Sequence, residues 1–200
     1  MTKLDEQKIL ADNILSGLKL MSPYAILAGG APRDWYFNQE ANDLDFYLYT
    51  HAGTIYSTKK QIAGCLGINQ DRITLKAEPQ NDLYKTMRCL RRVFDVSGYD
   101  MPVQIMQLNS EKDEFKVVDL MSTSICRIYY HEGKLVPKDD FILTGKSGVM
   151  FIDEGYNWSD PHPRKMVERF KHKYTTGTKQ QAKDRIINKV SRGEICERLG

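Results

Sequence analysis

Apolar residues in the first fifty positions follow a helical spacing and then a strand-like one. In residues 5–20 they recur every three or four positions, which predicts an amphipathic helix with an apolar face of Leu10, Ala11, Ile14, Leu15 and Leu18. Residues 24–28 and 44–49 are short, nearly continuous apolar runs, as expected for buried strands. Gly29 and Gly30 follow the first run and predict a tight turn into a short helix.

The same criteria predict further elements downstream. The predicted helices cover residues 56–66, 83–90, a short segment after Ser110, 164–174 and 180–189. The predicted strands cover residues 73–75, 92–96, 103–108, 125–130 and 134–136, with one hairpin joining 92–96 to 103–108 and another joining the last two. This order predicts an α+β fold in which a small mixed β-sheet is flanked by helices.

The C-terminal part of the chain is distinct in composition and charge. Residues 145–160 are rich in turn formers, so we place a boundary there, between a domain of residues 1–155 and a basic helical module of residues 156–200. Residues 161–200 hold eleven Lys and Arg against four Asp and Glu, whereas the whole chain has a net charge of only +3. This asymmetry favours a polyanionic partner, either a triphosphate or RNA; a solvated, lysine-rich helical face is the alternative.

Composition excludes several classes of protein. A hydrophobic fraction of 41% with 28% charged residues is typical of a soluble globular protein, and the sequence has no apolar run long enough for a membrane span. The first residues lack the apolar core of a signal peptide, so we expect a cytoplasmic protein. The four cysteines lack C-x-x-C spacing, which argues against a zinc site or a disulfide framework. Oligomeric state is left open by the sequence.

Two carboxylates at the start of the second strand are the first candidate site residues. Asp43 and Asp45 flank Leu44, and residues i and i+2 of a strand point to the same face, roughly 7 Å apart along the backbone. Mg²⁺ prefers such oxygen ligands, and a carboxylate pair can hold two metal ions. Alone, however, an Asp-x-Asp pattern also occurs on many ordinary surface strands.

The turn that precedes these carboxylates adds groups suited to phosphates. Glycines at positions 29 and 30 allow the backbone to approach a phosphate closely, and Arg33 adds a guanidinium that can pair with phosphate oxygens. Asp34 either orients Arg33 or caps the helix. A tight strand-to-helix connection is the alternative for the two glycines, but their position just upstream of Asp43 and Asp45 favours a phosphate site.

On these residues the chain resembles the nucleotidyltransferase superfamily that includes DNA polymerase β. It is most similar to the head domain of class II CCA-adding tRNA nucleotidyltransferases and poly(A) polymerases, whose signature is matched by Gly29, Gly30, Arg33, Asp34, Asp43 and Asp45. The resemblance implies that Asp43 and Asp45 bind catalytic Mg²⁺ (or Mn²⁺). It also implies that Gly29, Gly30, Arg33 and Asp34 form the binding site for a nucleoside triphosphate such as ATP.

The resemblance extends into the C-terminal module. The family's helical neck begins with an Asp-Pro-x-Arg run and continues to an Arg-Phe pair, to which Asp160, Pro161, Arg164, Arg169 and Phe170 are similar. By this analogy Arg164 and Arg169 bind the nucleotide. The alternative is an ordinary basic amphipathic helix with Met166, Val167 and Phe170 on its core face. In size the chain resembles small stand-alone members, including those suspected in bacteriophage genomes.

The chain departs from the family at its third carboxylate. In the strand that aligns with the family's, residues 103–108, Gln104 stands where a Glu is expected. Asp119 and Asp95 are the replacements available, and we favour Asp119 as the third catalytic carboxylate.

Together these features predict a Mg²⁺-dependent nucleotidyltransferase. It would move an NMP from an NTP to an acceptor hydroxyl, most simply that of RNA, including a tRNA 3′ end, with release of pyrophosphate. Two alternatives stay open. The acceptor could be a protein or a small molecule, or the chain could be a catalytically degenerate nucleotidyltransferase that binds nucleotides, RNA or a host factor.

Overall fold

The computed structural model of the protein describes residues 1–50, 53–78, 89–108, 116–153 and 155–194. The helix predicted after Ser110 lies outside these residues. So does most of the helix predicted over residues 83–90; at its described end, Leu90 begins a strand instead. Within the described ranges, no helix combines the length and apolar character that crossing a membrane requires.

Internal contacts divide the chain into two compact units, Met1–Asp119 with Ile128–Val136, and Leu120–Arg127 with Pro137–Gly200. The helices of the first unit are α1 (Lys3–Lys19), α2 (Gly30–Tyr36) and α3 (Ile55–Leu66). Its strands are β1 (Ile26–Ala28), β2 (Leu44–Tyr49), β3 (Ile73–Ala77), β4 (Leu90–Val96), β5 (Val103–Leu108), β6 (Ile128–His131) and β7 (Lys134–Pro137), whose last residue belongs to the second unit. The second unit contains α4 (Asp139–Ser147), β8 (Val149–Met150), α5 (Pro161–Phe170), β9 (Thr175–Thr176) and α6 (Lys179–Ser191).

The first unit is built on a seven-stranded sheet in the order β3-β4-β5-β2-β1-β6-β7. Strands β2 and β5 run parallel, with Leu44 opposite Val103, whereas β1 pairs antiparallel with β2 and β6, and β4 pairs antiparallel with β3 and β5. The sheet is therefore mixed and carries helices beside it, which confirms the predicted α+β class.

The two sides of strand β2 differ in burial and in the polarity of their side chains. On β2, Leu44, Phe46 and Leu48 have no exposed surface and join the main core with apolar side chains of α1 and α3. Because side chains alternate along a strand, Asp45 points to the opposite face. Burial of one side of β2 thus determines which side receives the carboxylate.

Several elements differ in extent from their sequence predictions. Strand β3 continues to Ala77 instead of ending at residue 75. The strand predicted over residues 125–130 starts only at Ile128, because Ser124–Cys126 form a 3-10 turn. There the Ser124 hydroxyl accepts hydrogen bonds from the backbone N–H of Phe151 and the hydroxyl of Thr144. A hydroxyl engaged in this way competes with regular backbone pairing.

The second unit begins nearer the N-terminus than the predicted boundary between residues 155 and 156. The reason is α4, which was not predicted from the sequence and which packs against α6 and the turn Ser124–Cys126. Gly145 within α4 weakens its helical pattern. The division into a catalytic domain and a basic functional module stays a prediction.

A buried arginine connects several segments of the second unit. The Arg127 side chain is 4% exposed, and its two terminal nitrogens pair with Asp140 and Asp153. Its Nε and Nη2 also donate to the carbonyl oxygen of Met121, at 3.3 and 3.1 Å. Replacing one member of such a buried network leaves uncompensated charges behind, so the cost is large.

We therefore expect Arg127→Met to lower the free energy of unfolding of the second unit by about 3–5 kcal/mol. A urea titration followed by circular dichroism measures this loss. The control is Arg192→Met, whose side chain is 74% exposed and should matter by less than about 0.5 kcal/mol. Equal stability of the two variants would show that the Arg127 network does not hold this unit together.

Candidate active site

The Gly29-Gly30 turn joins β1 to α2 through a backbone conformation that favours glycine. Gly29 has φ 83° and ψ −114°, which side chains rarely permit. Its N–H donates to the carbonyl oxygen of Ile128 on the neighbouring strand β6, at 3.2 Å. The turn is thus fixed from the adjacent strand, and α2 begins at Gly30.

Asp43 lies directly beside this turn. A Cβ atom at Gly30 would be 3.7 Å from Oδ1 of Asp43 and 3.9 Å from Nη2 of Arg33. The structure therefore brings together Gly30, Arg33 and Asp43, three of the residues singled out from the sequence. Asp43 is exposed. The N–H of the next residue, Leu44, donates to the carbonyl oxygen of Pro102 at 3.0 Å, and this hydrogen bond holds the start of β2 in place.

Arg33 and Asp34 form a buried ion pair. Oδ1 of Asp34 accepts a hydrogen bond from Nε of Arg33 at 2.8 Å and lies 2.8 Å from Nη2 of the same guanidinium, and both side chains are 3% exposed. The N-cap residue of α2 is Gly29, and Asp34 is the fifth residue of the helix, beyond the usual position of a capping side chain. Of the two roles considered for Asp34, the geometry favours orientation of Arg33. A guanidinium fixed in this way is preorganised beside Gly30.

Asp45 belongs to a row of polar side chains across three strands. In the parallel pairing of β2 with β5, Asp45 lies opposite Gln104, and in the antiparallel pairing of β5 with β4, Gln104 lies opposite Asp95. Residues paired across strands share a face of the sheet. All three are half-buried, and Nε2 of Gln104 donates to Oδ1 of Asp95 at 3.0 Å.

The two candidates for a third carboxylate occupy different places. Asp119 is exposed and follows the 3-10 turn Lys116–Val118. It is close enough to Tyr129 that its charge, after the larger effect of burial, raises the pKa of the Tyr129 hydroxyl. Asp95, by contrast, lies in the row that contains Asp45. The catalytic role of Asp119 stays a prediction.

The donor chemistry of this face suits a hard divalent cation. Among the described residues, no group of three or more His, Cys, Asp and Glu side chains is arranged to hold a metal. The described residues do supply two carboxylates, Asp43 and Asp45, and the amide of Gln104 beside them. Oxygen donors of these kinds fit Mg²⁺ or Mn²⁺ and do not select zinc.

The two arginines predicted to bind nucleotide lie on α5, in the second unit. Arg164 is exposed, while Arg169 is half-buried with its guanidinium carbon 5.5 Å from the centre of the Phe170 ring. Met166 and Phe170 are buried on the other side of the helix, as the alternative of an amphipathic helix expects. An amphipathic helix with basic side chains is compatible both with nucleotide binding and with an ordinary surface helix. The nucleotide contact of Arg164 and Arg169 therefore stays a prediction.

Sequence reasoning missed Gln7 as a residue that holds the site in place. Gln7 is 4% exposed on α1, and its Oε1 accepts hydrogen bonds from the N–H of Ala41 at 2.9 Å and from Nε1 of Trp35 at 3.0 Å. Its Nε2 donates to the carbonyl oxygen of Ala41 at 2.9 Å. One amide thus ties the helix of Arg33 to the segment just before Asp43. The available signal was a polar residue in the apolar stripe of α1, four positions before Ala11.

Comparison with known proteins shows which solved structures have a similar fold. No protein-family model matches the sequence, and no curated protein matches it either. A solved tRNA-processing enzyme (apo form I) aligns over 96% of this chain and 48% of its own, with a TM-score of 0.56 and 14% identity. A CCA-adding enzyme in complex with CTP aligns over 96% of this chain and 46% of its own, with a TM-score of 0.55 and 13% identity.

These likenesses concern the fold. At this level of identity they confirm the predicted structural resemblance to CCA-adding enzymes. The chain spans less than half the length of either neighbour. What the neighbours bind or catalyse is therefore a matter for proposal and experiment in this protein.

We predict that Gln7→Leu lowers the free energy of unfolding by about 3 kcal/mol, because it leaves three buried hydrogen-bonding groups unsatisfied. Urea unfolding measures the effect. The control is Gln61→Leu, the same change at an exposed position of α3. If both variants are as stable as the parent protein, the Gln7 amide does not hold Ala41 and Trp35 together.

Proposed function

We propose that this protein is a divalent-metal-dependent nucleotidyltransferase. The observation that carries the proposal is the convergence of Asp43 Oδ1 and Arg33 Nη2 on the space beside Gly30, where an added Cβ would lie within 3.9 Å of both, with Asp45 two residues after Asp43. A fold shared with CCA-adding enzymes supports it. The group transferred would be an NMP, taken from an NTP.

The acceptor hydroxyl oxygen forms a bond to the α-phosphorus, the bond from that phosphorus to the bridging oxygen breaks, and pyrophosphate leaves while the hydroxyl proton passes to water. Bound Mg²⁺ or Mn²⁺, as one ion or two, would neutralise phosphate charge and lower the pKa of the attacking hydroxyl.

The residues of this chain would bind and orient the reactants. Asp43 and Asp45 would hold the metal. Gly29 and Gly30 would admit the triphosphate close to the backbone, and Arg33, fixed by Asp34, would present Nη2 at the same place. Only these positioning tasks are asked of the protein, because phosphoryl transfer needs little covalent chemistry from it.

RNA is the acceptor class that the charge distribution favours. Residues 161–200 carry an excess of basic residues, among them Arg164 on the exposed side of α5. Such a surface attracts a phosphate backbone. A tRNA 3′ end is the specific acceptor suggested by the fold of CCA-adding enzymes, with the basic module of residues 156–200 as its contact.

Gln104 favours one second candidate, a nucleotide-binding protein without turnover. The residue lies beside Asp45, where the family resemblance implies a carboxylate. Such a protein would bind NTP and RNA or another partner but transfer nothing. The first experiment below separates this candidate from the enzyme.

We expect Asp43→Ala and Asp45→Ala each to reduce nucleotide transfer by about a hundredfold or more, since losing a residue that only supports a metal ligand already costs about ten- to a hundredfold. Each of four α-³²P-labelled NTPs is incubated with Mg²⁺, total RNA and total protein, and label is counted in each fraction. Label in the RNA fraction would identify RNA as the acceptor, as proposed. Label in the protein fraction would show instead that the acceptor is a protein.

The control for this assay is Asp71→Ala, which removes an exposed carboxylate from the same unit. It should transfer label like the parent protein. Full activity of the Asp43 and Asp45 variants would contradict the metal assignment. Absence of label with all four nucleotides, despite measurable NTP binding, would favour the nucleotide-binding protein.

Gly30→Ala tests the approach of phosphates to the turn. Its Cβ would make only ordinary contacts with Asp43 and Arg33, so the variant should fold. The methyl group would nevertheless occupy the space beside both charged groups. We expect an NTP dissociation constant about fivefold to a hundredfold higher by isothermal titration calorimetry, since overpacking a fitted site costs about 1–3 kcal/mol.

The matched control is Gly64→Ala in α3, where an added Cβ meets nothing within 4 Å. It should leave nucleotide affinity unchanged and raise helix stability slightly. Unchanged NTP affinity in Gly30→Ala would remove the turn from the phosphate site.

A further inference from the structure

We propose that the amide oxygen of Gln104 is a neutral third ligand to the metal held by Asp45, and that Asp95 is the positioning residue that aims it. The inference rests on the proposed function, because it concerns the same metal site. It replaces the expectation of a third carboxylate with a different donor. The juxtaposition of Asp45, Gln104 and Asp95 carries it.

The register of three strands brings these side chains together. Asp45 and Gln104 are cross-strand partners in the parallel pair of β2 and β5, and Gln104 and Asp95 are partners in the antiparallel pair of β5 and β4. Neighbouring strands of a sheet lie about 4.8 Å apart. Gln104 can therefore reach a cation at Asp45, whereas Asp95, a strand further away, is too distant to share it directly.

The hydrogen bond to Asp95 settles which end of the Gln104 amide faces which strand. Nε2 of Gln104 lies 3.0 Å from Oδ1 of Asp95. An ionised carboxylate only accepts hydrogen bonds, so the nitrogen must face β4, and the amide cannot be reversed without placing two oxygens together. The carbonyl oxygen is consequently kept on the side away from Asp95.

Asp95 is itself anchored from the next strand. Nζ of Lys76 on β3 lies 3.4 Å from the same oxygen that accepts from Gln104. The row thus continues as Lys76, Asp95, Gln104 and Asp45, with the polarity of each group set by its neighbour. A row of this kind fixes the direction of a ligand in the same way that an outer carboxylate fixes a metal-binding histidine.

The donor that results is chemically suitable. Side-chain amide carbonyls coordinate hard cations alongside carboxylates. An amide adds no charge, so the site would carry one negative charge less than a site with three carboxylates. Metal affinity should accordingly depend on the orientation of Gln104, and this dependence can be measured without any nucleotide transfer.

The test is a double-mutant cycle read as the dissociation constant for Mn²⁺, from the electron paramagnetic resonance signal of the free ion. We expect Gln104→Leu to raise this constant about tenfold, as loss of a supporting contact to a metal commonly does. Asp95→Asn should raise this dissociation constant severalfold. The NH2 group of an Asn side chain can donate to Oε1 of Gln104, so the Gln104 amide could then reverse and turn its oxygen away from the metal. In the Gln104→Leu background, Asp95→Asn should add nothing.

Controls separate this effect from folding and from bulk charge. Asp71→Asn removes an exposed charge in the same unit and should leave Mn²⁺ binding unchanged. Urea unfolding without metal should give similar stabilities for all variants. If Gln104→Leu does not fold, Gln104→Met, which is closer in shape, takes its place in the cycle.

Two results would overturn the inference while leaving the proposed function intact. In one, Mn²⁺ binding depends on Asp43 and Asp45 but not on Gln104. In the other, Asp95→Asn weakens binding equally with and without Gln104, so that Asp95 acts by its own charge. Mn²⁺ binding that is insensitive to Asp43 and Asp45 would instead contradict the proposed function.

Discussion

The alternation of side chains along β2 is the constraint on which the candidate site depends. The strand lies inside the sheet, between β1 and β5, and buries Leu44, Phe46 and Leu48 completely on one face. A shift of one residue would expose these three side chains and place Asp45 in the core. The free energy of burying apolar surface, about 25 cal/mol per Å², therefore also maintains the direction of the carboxylates.

The parts of this arrangement that depend on neighbouring residues could be predicted from the sequence. Strand β2 has the predicted bounds, α3 ends at residue 66 as predicted, and the antiparallel pairing of β4 with β5 was predicted as a hairpin. Each follows from a periodicity or a turn residue within a short window. The mixed sheet followed from the order of the elements, whereas helix α4, with Gly145 in its last turns, lacked a strong enough local pattern.

The parts of this arrangement that depend on residues far apart in the sequence could not be predicted. Nothing within β5 indicates that it pairs in parallel with β2, so the place of Gln104 opposite Asp45 could not be derived from local pattern and rested on the family resemblance. The role of Gln7 was equally hidden, because Ala41 lies 34 positions away in the sequence. Pairing and hydrogen bonding across such separations are decided by the packed fold rather than by local preference.

Charge at the candidate site supports the proposed cation. The positive charge of Arg33 is paired with Asp34 inside the protein, through a hydrogen bond from Nε and a close approach of Nη2. A triphosphate brought beside Gly30, as proposed, would lie close to the Asp43 carboxylate and would meet like charge at short range. In a partly buried site, where the effective dielectric constant is well below that of water, such repulsion amounts to several kcal/mol. A divalent cation between carboxylates and phosphates converts it into attraction, so nucleotide binding and metal binding should be coupled in this protein.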